Sequence, residues 1–558
     1  MTDMRRTLLW VVFSMSLVLL WDAWNKHTGQ PSLFGPREAA PVAAAGPSAS
    51  TVPAGVPTPG ATGAVPAAPA GAVPAAPAAA APAAGTLVTV TTDLVKATFD
   101  TLGGSLVRME LLRYADALDP KQPVVLFDRS AQRVYAAQTG LISSAGALPN
   151  HLTPMTALPG KTALEDGADV LHVAFESVEV NGVKLRKTWS LARGSYVATV
   201  GHEVVNNGAA PVQPQLYLQL VRDGNPPAGE SSFYFTFTGP AMYTDAAKFR
   251  KVEFKDIEKG KAEHDKSASD GWIAMVQHYF ASAWLLPAGT PREFRTAKVS
   301  ENLYSIAMVQ ALPAVAPGAS AKVDAQFFAG PQEENRLEAL APGLELVKDY
   351  GWFTILAKPL FWLLDQLYKL LHNWGWAIVA LVVLLKIAFY WLNHKAYASM
   401  AKMKAINPRV MELRERLKDN PQQMQQEMMR IYREEKVNPL GGCLPILVQM
   451  PFFIALYWVL LSSVEMRNAP WVGWITDLSA KDPYFILPLL MTASSLLQTW
   501  LNPTPPDPVQ AKMMWIMPLV FSVVFFFFPA GLVLYWLTNN ILSIAQQWFI
   551  NKRLGVLK

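Results

Sequence analysis

One cysteine, Cys443, stands in 558 residues. A lone thiol excludes an intrachain disulfide framework and any multi-cysteine metal site. Its apolar surroundings suit inert packing rather than reactivity. Charge is scarce too. Asp, Glu, Lys and Arg make up 16% of the chain, against about 25% in soluble domains, so much of the surface faces something other than water. The net charge of +5 is modest. The basic residues lie beside apolar stretches rather than in one patch, so DNA is not an expected partner. No glycine-rich phosphate loop of the GxxxxGK[ST] type occurs. His151, His172, His202, His264 and His278 show no metal-ligand spacing and read as structural. No cofactor, metal or catalytic residue is expected.

What the chain does have is greasy sequence. Five apolar stretches fall between about Trp374 and Phe549, each near the ~20 residues that cross a bilayer. The first, Trp374 to Leu392, carries one charge, Lys386. A lysine at the centre of a span costs roughly 2.5–3.5 kcal/mol on insertion scales, so Lys386 needs explaining.

Taken in order, residues 1–24 read as a membrane anchor: Arg5 and Arg6 precede an apolar run from Leu8 to Trp21, with no clear small-x-small cleavage site after it. Residues 25–85 are rich in Ala, Pro and Gly and read as a periplasmic tether. Residues 86–340 carry short alternating runs, at Leu87–Thr92, Val170–Phe175, Tyr196–Val200 and Phe233–Phe237. Turn residues separate them, which predicts a large, mostly antiparallel sandwich. Over 345–373, Lys358, Asp365, Lys369 and His372 share one helical face beside a broad apolar one. That pattern fits a helix in the membrane interface; burial against the sandwich is the other reading.

The remaining spans are placed at 374–393, 438–464, 484–501, 513–528 and 532–549, six in all with the anchor. The last two are joined by Pro529-Ala530-Gly531 as a tight hairpin. Between 394 and 437 there are ten Lys and Arg, and between 465 and 483 there are two, Arg467 and Lys481. Positive charge stays in the cytoplasm. That puts the 394–437 segment, the 502–512 loop, the basic 550–558 tail and both termini inside. The sandwich and the 465–483 loop are then outside. The fold class is thus a polytopic α-helical membrane protein, with a five-helix core and a large all-β periplasmic sandwich.

The 394–437 segment is patterned for two helical arms broken at Lys418-Asp419-Asn420-Pro421. Met400, Met403, Met411, Met424, Met428 and Met429 supply much of its apolar surface. They either pack the arms together or form a plastic surface for varied apolar segments, which thioethers suit. Lys386 also has two readings. It can snorkel roughly 9 Å to the cytoplasmic end of its run, or enter a polar cavity. Gln449, Thr492, Ser494, Ser495, Gln498, Ser522, Thr538, Asn539, Asn540, Gln546 and Gln547 favour the cavity, because polar side chains in spans face a bundle interior or water. No acidic residue lies in the cores of these five spans.

Three motifs are specific: Asn438-Pro439-Leu440-Gly441-Gly442-Cys443-Leu444-Pro445, then Gln449-Met450-Pro451, and Phe528-Pro529-Ala530-Gly531-Leu532-Val533-Leu534-Tyr535-Trp536. With the overall layout, they closely resemble the YidC membrane protein insertase family of Gram-negative bacteria, over nearly the full chain outside the Ala/Pro linker. The resemblance implies a non-enzymatic insertase and chaperone of the inner membrane. Its groove would be hydrophilic, open to cytoplasm and lipid, and beside it would run a hydrophobic slide. It also implies nascent membrane proteins, the Sec translocon, the ribosome and the signal-recognition route as partners. Lys386 occupies the place of a groove residue that is usually arginine. Lysine keeps the charge but not the planar fork. By motif, the client-contacting residues map onto Gln449, Met450, Pro451, Phe453, Tyr535 and Trp536, where Trp536 replaces a frequent second tyrosine. The resemblance then leaves ribosome contact to the hairpin and the short tail. The runner-up readings are an ion or small-molecule transporter using Lys386 and a periplasmic carbohydrate-active protein.

Overall fold

The computed structural model describes residues 85–227, 236–417, 420–435, 444–502 and 508–553. The expected anchor, the linker up to residue 84 and the strand expected at Phe233–Phe237 lie outside these residues, the last except for its final two positions.

The first half is a sandwich of two nine-stranded sheets. Every paired strand is antiparallel, as the short alternating runs require. In the strand Val183–Ala192, Val183, Leu185, Lys187, Trp189 and Leu191 are the more deeply buried positions, because successive side chains of a strand point to opposite faces. Trp189, Trp284 and Phe327 meet between the sheets, with ring centroids 4.6–6.0 Å apart. One of these inward slots is therefore held by a lysine. Lys187 donates to the Gly103 and Thr139 carbonyls at 2.5 and 2.6 Å. His202 reaches the Thr139 hydroxyl at 2.9 Å, and His151 meets the Tyr217 hydroxyl at 2.6 Å. The histidines are structural groups here.

Two short helices, α1 (Phe254–Glu258) and α2 (Glu334–Leu340), belong to this half. Then follow α3 (Thr354–Leu371), α4 (Trp374–Ala388), α5 (Tyr390–Arg416), α6 (Pro421–Glu434), α7 (Leu444–Ser462), α8 (Ile486–Leu501), α9 (Pro508–Phe525) and α10 (Ala530–Arg553).

Helix α3 packs on α7 and α4 through Ala357, Leu360, Phe361 and Leu364, so its buried side faces the bundle. Its opposite face is bare: Ile355 is 88%, Trp362 62% and Leu370 74% exposed. His372 ends it in the left-handed region, with φ of 53°. The Asn373 side chain then caps α4 by accepting from the Trp376 N–H at 3.1 Å. Two residues after Asn373 the 465–483 loop comes so close that a β-carbon on Gly375 would stand 2.2 Å from the Trp471 ring.

No single described helix is both long and apolar enough to cross a bilayer, but the bent pair Trp374–Ala388 and Tyr390–Met403 passes together, with 69° between its parts. The 15 residues of α4 rise only about 22 Å, short of a hydrocarbon core of about 30 Å. Apolar helices α8 and α9 are likewise short, at 16 and 18 residues, while α10, at 24, is interrupted by amides. Helix length thus does not establish the six-span count.

The expected hairpin of the last two spans is corrected in one respect. Helix α9 packs chiefly on α8, and α10 on α8 and α4. At the turn, Phe525 meets Trp536 at 5.8 Å. The reason is the entry of α10: the 465–483 loop holds its first turn, the Ala530 and Gly531 N–H groups donating to the Ala480 and Leu478 carbonyls at 2.7 and 2.8 Å.

Arms α5 and α6 close on Ile406, Val410, Leu413 and Ile431. Met403 and Met428 pack against that cluster, Met400 and Met424 are half-buried, and Met411 and Met429 are exposed. The methionines thus divide between packing and surface.

Candidate functional site

Lys386 lies in the last turn of α4, just before the bend at Phe389. An apolar helix face carries it inward, with Leu381 and Val382 buried in the turn before it. Its Nζ donates to Ser543 Oγ on α10 at 2.7 Å. Ser543 in turn donates to the Asn539 carbonyl at 2.7 Å. Among the described residues no carboxylate pairs with the amine.

This amine borders a small cleft between α4, α7 and α10. Gln449 and Phe453 of α7, and Tyr535 and Asn539 of α10, line it together with Val382, Leu385, Phe389, Phe452 and Leu456. Phe389 meets Phe452 edge-on at 5.0 Å, fixing α4 to α7 at the bend. Trp536 stacks on Phe453 at 5.6 Å and 16°, and Phe453 also meets Tyr535 at 6.0 Å. Of the seven residues expected at the groove and slide, the structure thus brings Lys386, Gln449, Phe453 and Tyr535 to one cleft. Trp536 backs it. Met450 is 45% exposed and Pro451 half-buried in α7, and neither lines it.

Other polar residues of the helices go elsewhere. Thr492 and Ser522 donate to carbonyls one turn back, at Pro488 and Pro518. Asn540 ties α10 to α8 through Ser494 and Ser495, at 3.2 and 2.9 Å. Gln547 bonds Asn502 at 3.0 Å and Gln546 the Tyr390 carbonyl at 3.5 Å. Only part of the expected polar set therefore meets Lys386, and Ser543, which does, was not among it.

The outside of the helices is the reverse of a soluble surface. On α9, Ile516, Leu519, Val520, Phe521 and Val523 are all at least 48% exposed. Leu489 and Trp500 of α8 and Ile387 of α4 are exposed likewise. So large an apolar surface marks contact with lipid or protein. Towards the hairpin it ends in Trp391 and Trp548, each with a lysine over its ring, Lys395 at 3.7 Å and Lys552 at 5.0 Å. Aromatic and basic anchors of this kind belong at a membrane–water interface.

Comparison with known proteins agrees with this architecture. Residues 87–363 match the family described as the YidC periplasmic domain, and residues 366–556 the family described as 60Kd inner membrane protein. The membrane protein insertase YidC of Cupriavidus necator is 58% identical over 559 residues, covering 99% of this chain and 98% of that one. Its namesake in Janthinobacterium sp. is 52% identical over 574 residues, covering all of both. A solved active YidC insertase shares 18% identity over 83% of this chain and 94% of its own, with a TM-score of 0.37. A galactose mutarotase-like protein from Lactobacillus casei covers 44% of this chain and 100% of its own, at 9% identity and a TM-score of 0.28. Neither structural likeness supports a functional argument, and the transporter and carbohydrate readings gain nothing from them. With full-length relatives above half identity, and both halves matched, the chain belongs to the YidC family of membrane protein insertases.

Proposed function

We propose that this chain is an inner-membrane insertase and chaperone for nascent membrane proteins. The observation that carries the reading is the Lys386 amine, bonded to Ser543 at a mainly apolar cleft that also holds Gln449 and Asn539, and surrounded by helices whose outer faces are apolar. A hydrophilic tail loses water when it enters hydrocarbon, and each unpaired polar group then costs several kcal/mol. A wet notch partway through the bilayer shortens that dry path. Lys386 attracts acidic or polar parts of the client as a point charge. The client's apolar segment leaves along Met450, Phe453, Tyr535 and Trp536 into lipid, which drives the step.

In this reading the helices, with an N-terminal anchor, make six spans. The lysine- and arginine-rich hairpin and both termini face the cytoplasm, and the sandwich faces the periplasm. The exposed Met411 and Met429 give the hairpin a contact surface for clients or for the ribosome and signal-recognition route. The Sec translocon is a further partner.

The test is a bacterial host depleted of its own insertase and supplied with Lys386→Arg, Lys386→Ala or Lys386→Glu. The measurement is translocation of a client with an acidic periplasmic tail. Arg is expected to work, and Ala and Glu to fail at equal expression. Normal insertion by all three would make Lys386 a snorkelling anchor and sink its role in the groove.

A further inference from the structure

Three helices converge on one side chain. Ser543 Oγ accepts from Lys386 Nζ of α4 at 2.7 Å, and Tyr397 on α5 lies beside the same Ser543 side chain. Its own proton is already committed to the Asn539 carbonyl, 2.7 Å away on α10. A serine hydroxyl has one donor and two lone pairs. With the proton spent, it presents lone pairs to its other neighbours, the orientation an ammonium needs. Ser543 is 3% exposed, so water does not compete freely for this arrangement. Lys386 and Tyr397 lie on opposite sides of the 69° bend between α4 and α5.

We propose that Ser543, backed by Tyr397, is a positioning residue that parks the Lys386 ammonium on α10 and thereby selects clients by their carboxylates. The inference rests on Lys386 being the client-facing charge, as proposed above. A neutral hydroxyl is a weaker acceptor than a carboxylate, whose charge-assisted bonds are roughly twice as strong. An acidic tail draws the amine off Ser543, while a neutral polar tail leaves it parked. The parked state also supplies an acceptor for a charge that otherwise has no partner among the described residues. A lone lysine is thereby held at the cleft without a resident acid that would compete with the client.

The test uses the full chain in lipid nanodiscs and has two readouts. The first is acylation of Lys386 by a water-soluble N-hydroxysuccinimide ester, read by mass spectrometry and normalised to the exposed Lys322 of the sandwich. Ser543→Ala is expected to raise the Lys386 rate about three- to tenfold, the effect of losing one typical intramolecular hydrogen bond. Tyr397→Phe raises it less, and Ser543→Thr, which keeps the hydroxyl, restores the native rate. Equal labelling of native and Ser543→Ala chains, or a Thr variant that behaves like Ala, overturns the parking contact. The second readout is insertion of two clients that differ only in an acidic or a neutral tail. Ser543→Ala is expected to lower the acidic-to-neutral ratio, because a neutral tail then also meets a free amine. An unchanged ratio with raised labelling overturns the selection. Lys386→Ala run alongside separates the two ideas: if it inserts both clients normally, the client role of Lys386 fails, whatever the labelling shows.

Discussion

Lys348 and Glu465, 117 positions apart, form a 3.0 Å ion pair where the sandwich reaches the helices, and the Lys348 side chain is wholly shielded from solvent. The ammonium also sits 3.8 Å from the centre of the Phe361 ring on α3. Nearby, Ser462 donates to the Asp349 carbonyl at 2.7 Å, His278 meets the Leu461 carbonyl at 2.9 Å, and Arg467 donates to the Ala115 carbonyl at 2.5 Å. The two halves of the chain are joined by a polar seam rather than by a single linker.

Breaking that pair from one side should be costly. Lys348→Met or Glu465→Leu each leaves the other charge without its partner, a loss of about 3–5 kcal/mol for a buried pair. The double variant Lys348→Met/Glu465→Leu should recover part of it, because two apolar groups replace two charges while the buried Glu334 nearby loses the Lys348 charge. Thermal unfolding of the detergent-solubilised chain checks this. A double variant that loses as much as the two singles added together would contradict it.

The sandwich should weaken in mild acid. Burial, with the nearby Lys187 charge adding to it, holds His202 down at about 3 and His151 down at about 4. Burial alone holds Lys187 down at about 7. Each of these groups is favoured neutral when folded. As pH falls below about 6.5, the unfolded histidines take up protons that the folded ones refuse. The histidine contribution to stability is therefore full above that value and declines towards pH 4. Lys187 makes its own change between pH 10.5 and about 7 and adds nothing below. The unfolding midpoint is expected to drop between pH 6.5 and 4.5, and His202→Gln should flatten the drop. A midpoint constant over that window in the native chain would refute the assignment.

The bare face of α3 should lie in lipid. A spin label at Ile355→Cys or Leu370→Cys, placed in a Cys443→Ser background, is expected to be more accessible to oxygen than to a water-soluble nickel chelate. A label at Lys369, on the polar stripe where its amine meets Asp365 at 2.7 Å, should show the opposite preference. Equal accessibility at all three positions would remove the interfacial role.

Much of this architecture is legible in the residues. The alternating runs predict the sandwich, and the proline-broken polar segment predicts the hairpin. A charge alone in an apolar run singles out Lys386. What the runs do not disclose is which polar groups meet. Thr492 and Ser522 satisfy themselves on carbonyls one turn back, as short hydroxyl side chains in helices can. A tally of polar residues in spans therefore overstates the cavity. Ser543 and Tyr397 carry no local mark, since their importance comes from a partner on α4, 157 positions before Ser543. The same holds for Lys348, whose short neighbourhood reads as an ordinary charged turn. Lys187 is the instructive failure of pattern: its slot in the alternation is a core slot, and two backbone carbonyls make it tolerable.

The seal over the first turn of α10 is written entirely in main-chain atoms: the Leu478 and Ala480 carbonyls receive the Gly531 and Ala530 N–H groups. Side-chain replacement at 478 or 480 removes neither acceptor. Adding or deleting a single residue between Trp471 and Asp482 shifts both out of register at once. This stretch must therefore keep its count of residues, and at Ile475, Leu478 and Asp482, which are buried, their identity as well.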